Sequence, residues 1–359
     1  MINVTQTFLP PLEEYVGYLE KIWASGQITN NGELLKELEQ RLKKILGVKH
    51  LFLTANGTLA LQIALRALDI KRKVITTPFS YVATTGALLW EHCEPVFVDI
   101  NPRDYCIDQE KIEAAITPET EAILAVHVYG YACDVLAIEA IARRHNLKVL
   151  YDAAHTFGSS LNGRALASYG DASALSFHAT KLFHTVEGGA VVTDDDELAR
   201  KIRLYRAFGH IRDDYFTLGI NAKNSELHAA MGLCVLPRVP ELITQRRELS
   251  TAYDELLQDL PLVRPPTSVA SLERNYAYYP VLFPSEPSLL KTMGALEVAG
   301  ILPRRYFYPS LNRLPYRQGE SCPVAEDISA RVLCLPMSHE ITLSIQKKIA
   351  DLIRGSLAL

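Results

Sequence analysis

The sequence lacks an excess of charge of either sign. It has 37 lysine and arginine residues against 41 aspartate and glutamate residues, which gives a formal net charge of −4 over 359 residues. This balance creates no general field that would attract a nucleic acid or an anionic membrane. Glycine and proline, at 19 residues each, are too few for a collagen-like or low-complexity chain. We therefore expect a globular protein that binds neither nucleic acid nor membrane and meets any anionic ligand with local groups.

Cysteine is scarce and scattered, and long apolar runs are missing. The six cysteines form no Cys-x-x-Cys pair and have no histidine at metal spacing, so we expect reduced, buried thiols and no metal site. No run of about 18 apolar residues is present to span a membrane. The first residues also lack the basic and apolar regions of a signal peptide. We therefore expect a cytoplasmic protein.

Several motifs of nucleotide-binding and hydrolytic enzymes are absent as well. The chain contains no G-x-G-x-x-G, no G-x-x-x-x-G-K-[ST], no G-x-S-x-G and no H-E-x-x-H. Their absence argues against a P-loop protein, an α/β-hydrolase and a zinc protease, and it makes a Rossmann oxidoreductase a weak alternative.

The order of the predicted elements indicates the fold class. Between about residues 49 and 195, short β-branched runs alternate with helical stretches. Most of these runs are apolar throughout, which is typical of parallel strands buried on both faces. The repeated strand–helix–strand order predicts an α/β fold with a mostly parallel sheet. Longer helices follow from Ser225 on, so we predict a large domain over residues 1–235 and a smaller α+β domain over residues 236–359.

Ligands of open parallel sheets bind at the carboxyl ends of the strands, so the residues after each predicted strand are candidates for function. The first group is Asn56-Gly57-Thr58, which lies between a strand and a helix. Gly57 allows the backbone to approach a ligand closely, and the N–H groups at the start of a helix suit a phosphate. A plain strand-to-helix turn remains the alternative.

Two further strand ends carry ionisable side chains. Asp152 and His155 follow the predicted strand KVLYD; the alternative is a turn-capping aspartate and a histidine satisfied in the core. Lys181 follows the predicted strand ASALSFH, where partial burial would leave its amine neutral enough to attack a carbonyl; a surface lysine is the commoner alternative.

Together the three groups describe a pyridoxal phosphate site, with the phosphate at a helix start, a carboxylate at the ring nitrogen and a lysine that binds the cofactor.

The chain resembles the DegT/DnrJ/StrS family of nucleotide-sugar aminotransferases. The resemblance covers nearly the whole chain, and the lysine motif is its most specific part. The motifs occur in the family's order: ITNNG, NGTLAL, PFSY, DAAH, SFHATK, EGGAVVT, GIN, SELHAA and VLCLP. The resemblance implies the fold of the PLP-dependent transferases of fold type I, like that of aspartate aminotransferase. It also implies pyridoxal 5'-phosphate as the cofactor.

The resemblance implies roles for the residues at matching positions. Lys181 would bind the cofactor and then carry a proton between the substrate and the cofactor. Asp152 would keep the ring nitrogen protonated, and His155 would lie near the phenolic oxygen of the ring. Tyr81 would stack on the face of the ring.

The phosphate contacts are implied in the same way. Gly57, Thr58 and Ser176 would hold the phosphate within one subunit. Asn221 would reach it from a neighbouring subunit, because the sites of the family form at a dimer interface; we therefore expect a homodimer with shared active sites. Two positions depart from the family pattern: Lys223 stands where relatives usually carry arginine, and Pro78 lies one place off its usual position.

The implied substrates are L-glutamate and a nucleotide-linked keto sugar. The first residues, the NNG loop and the lysine motif are similar to those of enzymes that aminate C4 of dTDP-4-keto-6-deoxy-D-glucose, for O-antigen or other deoxyaminosugar biosynthesis. Relatives that aminate C3 share every catalytic residue, so that alternative stays open. A non-catalytic binding or regulatory protein of the same fold is a further alternative, against which the intact Lys181 and Asp152 argue. A related C3 dehydratase would carry histidine in place of Lys181.

Overall fold

The structure, a computed structural model, describes residues 1–266 and 270–357. Most strands outside the central sheet are only two residues long. The described strands are β1 (Ile2–Asn3), β2 (His50–Thr54), β3 (Lys73–Thr76), β4 (Glu94–Phe97), β5 (Thr120–Val126), β6 (Lys148–Asp152), β7 (Ser160–Leu161), β8 (Arg164–Ala165), β9 (Ala172–Ser176), β10 (Gly189–Thr193), β11 (His210–Ile211), β12 (Asp214–Tyr215), β13 (Leu272–Glu273), β14 (Tyr279–Leu282), β15 (Ile301–Leu302), β16 (Arg313–Leu314), β17 (Arg317–Gln318) and β18 (Val332–Leu335).

Helices occur between the strands of the central sheet, before its first strand and after its last strand in the sequence. The described α-helices are α1 (Leu12–Ser25), α2 (Glu33–Leu46), α3 (Gly57–Ala67), α4 (Val82–Trp90), α5 (Gln109–Ile112), α6 (Val135–His145), α7 (Asp196–Tyr205), α8 (Glu226–Val235), α9 (Val239–Leu256), α10 (Glu286–Val298), α11 (Pro323–Arg331) and α12 (Leu343–Leu357). Among them, none combines the length and the apolar composition needed to cross a bilayer.

A seven-stranded sheet forms the centre of the protein, in the order β2-β10-β9-β6-β5-β3-β4. Strands β9, β6, β5, β3 and β4 pair in parallel, whereas β10 lies antiparallel between β2 and β9. All seven strands lie within the stretch of about residues 49–195 in which the sequence predicts alternating strands and helices, and the mostly parallel sheet confirms the predicted α/β fold. Because β10 alone runs in the opposite direction, the carboxyl ends of the other six strands meet at one edge of the sheet.

Several helices begin at a side chain that accepts a hydrogen bond from one of their first N–H groups. The side chain of Asn56 accepts from the Leu59 N–H at the start of α3, at 2.9 Å. The side chain of Asp134 accepts from the Ala137 N–H at the start of α6, at 3.0 Å. Such side-chain caps stabilise a helix by roughly 1 kcal/mol each. They fix the point at which each strand end turns into the following helix.

Two helices near the N-terminus were not predicted from the sequence. In α2 a leucine stripe that includes Leu35, Leu38 and Leu42 is fully buried. It packs in one cluster with residues of α8 such as Ala230 and Leu233. The N-terminal segment thereby covers the part of the large unit next to β10 and β2.

A smaller group of elements follows α9. Strands β14 and β18 pair antiparallel, and their buried side chains pack with those of α10 and α12 in a separate core cluster. The N-terminal β1 also reaches this group, since it pairs in parallel with β15. A short 3-10 helix over Leu236–Arg238, which contains Pro237, separates α8 from α9. The domain boundary between residues 235 and 236 stays a prediction.

Candidate active site

A cavity of about 280 Å³ opens at the carboxyl ends of the parallel strands. Segments that follow β2, β3, β6 and β9 form its walls, together with residues of the smaller group such as Tyr278 and Phe307. Seven of the eight predicted site residues line this cavity: Gly57, Thr58, Tyr81, Asp152, His155, Ser176 and Lys181. The structure therefore brings together side chains that lie up to 124 residues apart in the sequence, as the difference between positions 57 and 181 shows.

Asp152 is the last residue of β6 and lies at the floor of the cavity, where it is only 7% exposed. Its Oδ2 accepts a hydrogen bond from the Thr84 hydroxyl at 2.7 Å, and its Oδ1 accepts from the Ala154 N–H at 3.1 Å. Burial raises the pKa of the Asp152 carboxyl, whereas these hydrogen bonds and the nearby Lys181 act in the opposite direction. The carboxylate is thus fixed in orientation and favours a cationic partner in the cavity.

Lys181 lies in the loop between β9 and β10. Phe177 and Phe183 anchor this loop, since both rings are fully buried and meet edge to face at 4.9 Å. The Lys181 N–H donates to the His178 carbonyl oxygen at 2.8 Å, which closes a turn at the cavity wall. Burial lowers the pKa of the Lys181 amine to about 8, although the Asp152 carboxylate acts to raise it. Far more of this amine is neutral near neutral pH than of an ordinary lysine.

Gly57 starts α3 directly beside the end of β9. A Cβ atom at Gly57 would lie 2.9 Å from the Cβ of Ser176, which is closer than real Cβ atoms approach. A Cβ atom at Gly189 would lie 2.6 Å from the carbonyl carbon of Asn56. Only glycine at these two positions lets the helix start, β9 and β10 come this close. The first N–H groups of α3, which have no partner within the helix, and the Ser176 hydroxyl consequently share one end of the cavity.

His155 is buried at a second wall of the cavity. Its Nδ1 accepts from the Tyr129 N–H at 3.2 Å, so in the neutral imidazole the proton resides on Nε2. Burial and the nearby Lys181 lower the pKa of His155 well below its usual value, and the ring is therefore neutral at physiological pH. The ring stacks parallel to Phe307, with 5.8 Å between their centroids. His155 is thus held as a hydrogen-bond donor through Nε2.

Tyr81 and Asn221 lie in more open positions. Tyr81 precedes α4, lines the cavity and is 52% exposed. Asn221 is exposed and does not line the cavity of its own chain. Its Oδ1 accepts from the Lys223 amine at 2.8 Å. Of the predicted residues, Asn221 is the one that the single chain keeps apart from the others.

The structure adds residues that the sequence analysis did not identify. Thr84 is bonded to Asp152, and Ser80 is in turn 2.7 Å from Thr84, oxygen to oxygen. Tyr278 and Phe307 reach the cavity from the smaller group, more than 90 residues after Lys181. Thr84 carried no signal in the sequence, because a threonine in a helix is usually structural. Phe307 lies in the aromatic run at 306–308, next to Arg304 and Arg305 in the sequence.

Comparison with known proteins gives a consistent result. A model of the DegT/DnrJ/EryC1/StrS aminotransferase family matches residues 12–354. The chain is 43% identical to a dTDP-4-amino-4,6-dideoxy-D-glucose transaminase of Shigella dysenteriae, over 98% of each chain. It is 39% identical to a transaminase of the same name from Escherichia coli, over 99% of each chain. Among solved structures, DesI with its TDP-sugar product superposes with a TM-score of 0.94 at 35% identity, over 99% of this chain and 92% of that one.

Proposed function

The chain belongs to the DegT/DnrJ/EryC1/StrS aminotransferase family, and from that premise we propose that it moves the amino group of L-glutamate to a nucleotide-linked keto sugar, with pyridoxal 5'-phosphate as cofactor. The observation that carries this proposal is the shared cavity of Asp152, Lys181 and the start of α3. A carboxylate, a partly neutral amine and free helical N–H groups are the three groups that this cofactor requires from a protein.

The groups that line the cavity fit the cofactor chemically. The close approach that Gly57 allows leaves the first N–H groups of α3 facing the cavity beside Ser176, and such a helix start favours a phosphate. A protonated ring nitrogen would give the buried Asp152 an ionic partner and would compensate the cost of burying its charge. When bound, pyridoxal phosphate supplies an electron-withdrawing ring that stabilises negative charge on the substrate carbon.

The chain's own side chains then have separate tasks. Lys181, with its pKa lowered to about 8 by burial, has an amine that is suited both to attack a carbonyl and to carry a proton. Asp152 would hold the proton on the ring nitrogen through a carboxylate that Thr84 orients. His155 would donate through Nε2 to an oxygen of the bound cofactor, because its Nδ1 already accepts from the Tyr129 N–H.

For the acceptor we propose C4 of dTDP-4-keto-6-deoxy-D-glucose, in the cytoplasmic synthesis of deoxyaminosugars for O-antigen and lipopolysaccharide. The two transaminases reported above, both named for the 4-amino sugar, support C4 over the C3 alternative. Incubation with L-glutamate and a panel of nucleotide-linked 3-keto and 4-keto sugars tests this, with the products identified by NMR. We expect a 4-amino sugar product; amination of only the 3-keto sugars would overturn the C4 assignment, and no amination at all would overturn the function.

We further propose a homodimer in which Asn221 serves the cavity of the partner subunit. Its exposure outside its own cavity supports this arrangement, as do the exposed apolar side chains Phe216 and Leu218 on the same loop, since such patches mark protein interfaces. An amide from a partner gives a phosphate one more donor in a chain without a basic excess.

Mixing of two inactive variants tests the shared site. Lys181→Ala removes the amine, and Asn221→Asp places a negative charge where the phosphate would bind. If the residues serve a common site from different subunits, one of the two sites in each heterodimer carries neither lesion, and activity returns on mixing. Verified heterodimers without recovered activity would place both residues in the site of one subunit, and a fully active monomer would exclude the shared site.

A further inference from the structure

Arg304 is a cation at the mouth of the cavity that the proposed chemistry does not use. It lines the same cavity as Asp152 and Lys181. Its backbone is fixed on both sides, because the Arg304 N–H donates to the Cys334 oxygen at 3.2 Å and the Cys334 N–H donates back at 2.9 Å. The guanidinium carbon lies 4.6 Å from the centroid of the Tyr306 ring. These contacts define the position of the Arg304 side chain, although it is exposed to solvent.

The neighbouring Arg305, in contrast, has a guanidinium that is engaged in contacts within the protein. Its guanidinium forms an ion pair with Glu286 at 2.6 Å, donates to the Ala330 carbonyl oxygen at 2.8 Å and lies 3.4 Å from the centroid of the Tyr308 ring. Arg304 differs, because within residues 1–266 and 270–357 no carboxylate lies within 4.0 Å of its guanidinium nitrogens. The N–H donors of the Arg304 guanidinium are therefore available to solvent or to a ligand.

The carboxylates that line the cavity are already engaged. Asp152 accepts from Thr84 and Ala154, and Glu187 lies 3.6 Å from the imidazole of His178. Arginine stays protonated at all relevant pH values, and stacking on an aromatic face leaves its five N–H donors available at the edge. A guanidinium in this setting is suited to bind a carboxylate or phosphate through two parallel hydrogen bonds.

We propose that Arg304 is the residue of this cavity that binds the oxyanion of the substrate. The inference rests on the proposed function, whose two substrates are both anions: L-glutamate carries carboxylates, and a nucleotide sugar carries a diphosphate. The shared chemistry is an oxyanion paired with the guanidinium edge. Arg304 is thus a determinant of substrate specificity, distinct from the groups that hold the cofactor.

Calorimetric titration of the cofactor-loaded protein with two unreactive probes tests this and identifies the source of the oxyanion. Glutarate represents the donor without its amino group, and thymidine diphosphate represents the nucleotide. For Arg304→Gln we expect binding of at least one probe to weaken by about tenfold to a hundredfold, as for loss of a charge-assisted pair. Arg304→Lys keeps the charge but loses the planar fork, so its affinity should lie between those of Arg304→Gln and the wild type.

The control is Arg247→Gln, which removes the same charge from an exposed position on α9 outside the cavity and should leave both affinities unchanged. Weaker binding of glutarate alone assigns the carboxylate, weaker binding of thymidine diphosphate alone assigns the phosphate, and weakening of both assigns a residue used in both halves of the reaction. If the wild type transaminates and Arg304→Gln binds both probes as tightly as it does, the inference is wrong while the function stands. A wild type that neither binds the probes nor transaminates would refute both the inference and the proposed function.

Discussion

The floor and the rim of the cavity are built in different ways. The floor consists of Asp152, His155 and Lys181, which lie at or just after strand ends. Hydrogen bonds from the Thr84 hydroxyl and the Tyr129 N–H fix the side chains of Asp152 and His155, and a backbone hydrogen bond to His178 shapes the loop that carries Lys181. The rim consists of Tyr81 and Arg304, which are exposed and make few polar side-chain contacts. The sheet thus fixes the groups that carry out chemistry, whereas the groups that recognise the ligand are more exposed, and one of them, Arg304, reaches the cavity from the smaller group.

Burial affects the floor in one direction only: it disfavours charge. It raises the pKa of Asp152 and lowers the pKa values of His155 and Lys181. A ligand that carries a positive charge toward Asp152 and a negative charge toward the helix start compensates these costs. Substitutions on the floor should therefore have much larger effects than substitutions on the rim.

The largest effect is expected for Lys181→Ala. The variant should lose all transamination, because no other described lysine lines the cavity. It should also lose covalent attachment of pyridoxal phosphate, which is checked by borohydride reduction and peptide mapping of the wild type and the variant. A variant that turned over at the rate of the wild type would refute the assignment of Lys181.

Asp152→Asn should reduce turnover by several orders of magnitude. An amide cannot stabilise a protonated ring nitrogen as a carboxylate does, while the helix start still holds the phosphate. The affinity for the cofactor should therefore change little, and titration of the apoprotein measures it separately from turnover. A loss of less than about tenfold, or roughly 1.4 kcal/mol, would mean that another acid holds the ring nitrogen.

The lowered pKa of Lys181 predicts a distinct reactivity in the apoprotein. Burial disfavours the charged amine, so Lys181 should become half deprotonated near pH 8, whereas an ordinary lysine does so near 10.5. At pH 8 its neutral fraction should exceed that of an exposed lysine by roughly 100-fold. Competitive acylation over pH 6–11 with peptide mapping tests this in the apoprotein. Lys347, an exposed lysine on α12, is the internal reference, and a common midpoint for the two would contradict the prediction.

The sequence predicted the floor well because its residues follow strands. Alternating strands and helices predict a parallel sheet, and a parallel sheet brings the residues after its strands to one edge. The common location of Asp152, His155 and Lys181 could therefore be predicted without knowledge of side-chain packing. Their roles toward the cofactor came from the family resemblance and stay predictions.

Residues that meet the cavity only through tertiary packing were beyond the sequence. Thr84 lies on a helix, and its contact with Asp152 depends on how α4 packs beside β6. Tyr278 and Phe307 arrive from the smaller group, whose placement over the sheet edge no local pattern encodes. The N-terminal helix α2 was missed for a similar reason, since its leucine stripe acquires meaning only against α8.

A pair of adjacent threonines can measure how much the support of the floor contributes. Thr84 and Thr85 are both fully buried, but the Thr84 hydroxyl donates to Asp152 at 2.7 Å, whereas the Thr85 hydroxyl has no partner among the described residues. Thr84→Val should lower turnover by about tenfold, the usual effect of losing a hydrogen bond to a charged group. Thr85→Val should leave turnover unchanged. Equal effects from the two variants would show that packing, and not the bond to Asp152, is responsible.

The smallest effect is expected on the rim, for Tyr81→Leu. Offset stacking of an aromatic ring contributes about 0.5–1.5 kcal/mol beyond burial, so the variant should bind pyridoxal phosphate about twofold to tenfold more weakly and keep most of its turnover at saturating cofactor. Tyr316→Leu is the matched control, because Tyr316 is 62% exposed and does not line the cavity. Titration of the three apoproteins with the cofactor gives the comparison. If Tyr81→Leu reduced turnover as severely as Asp152→Asn, the rim would hold reacting groups too, and the division between a chemical floor and a recognition rim would fail.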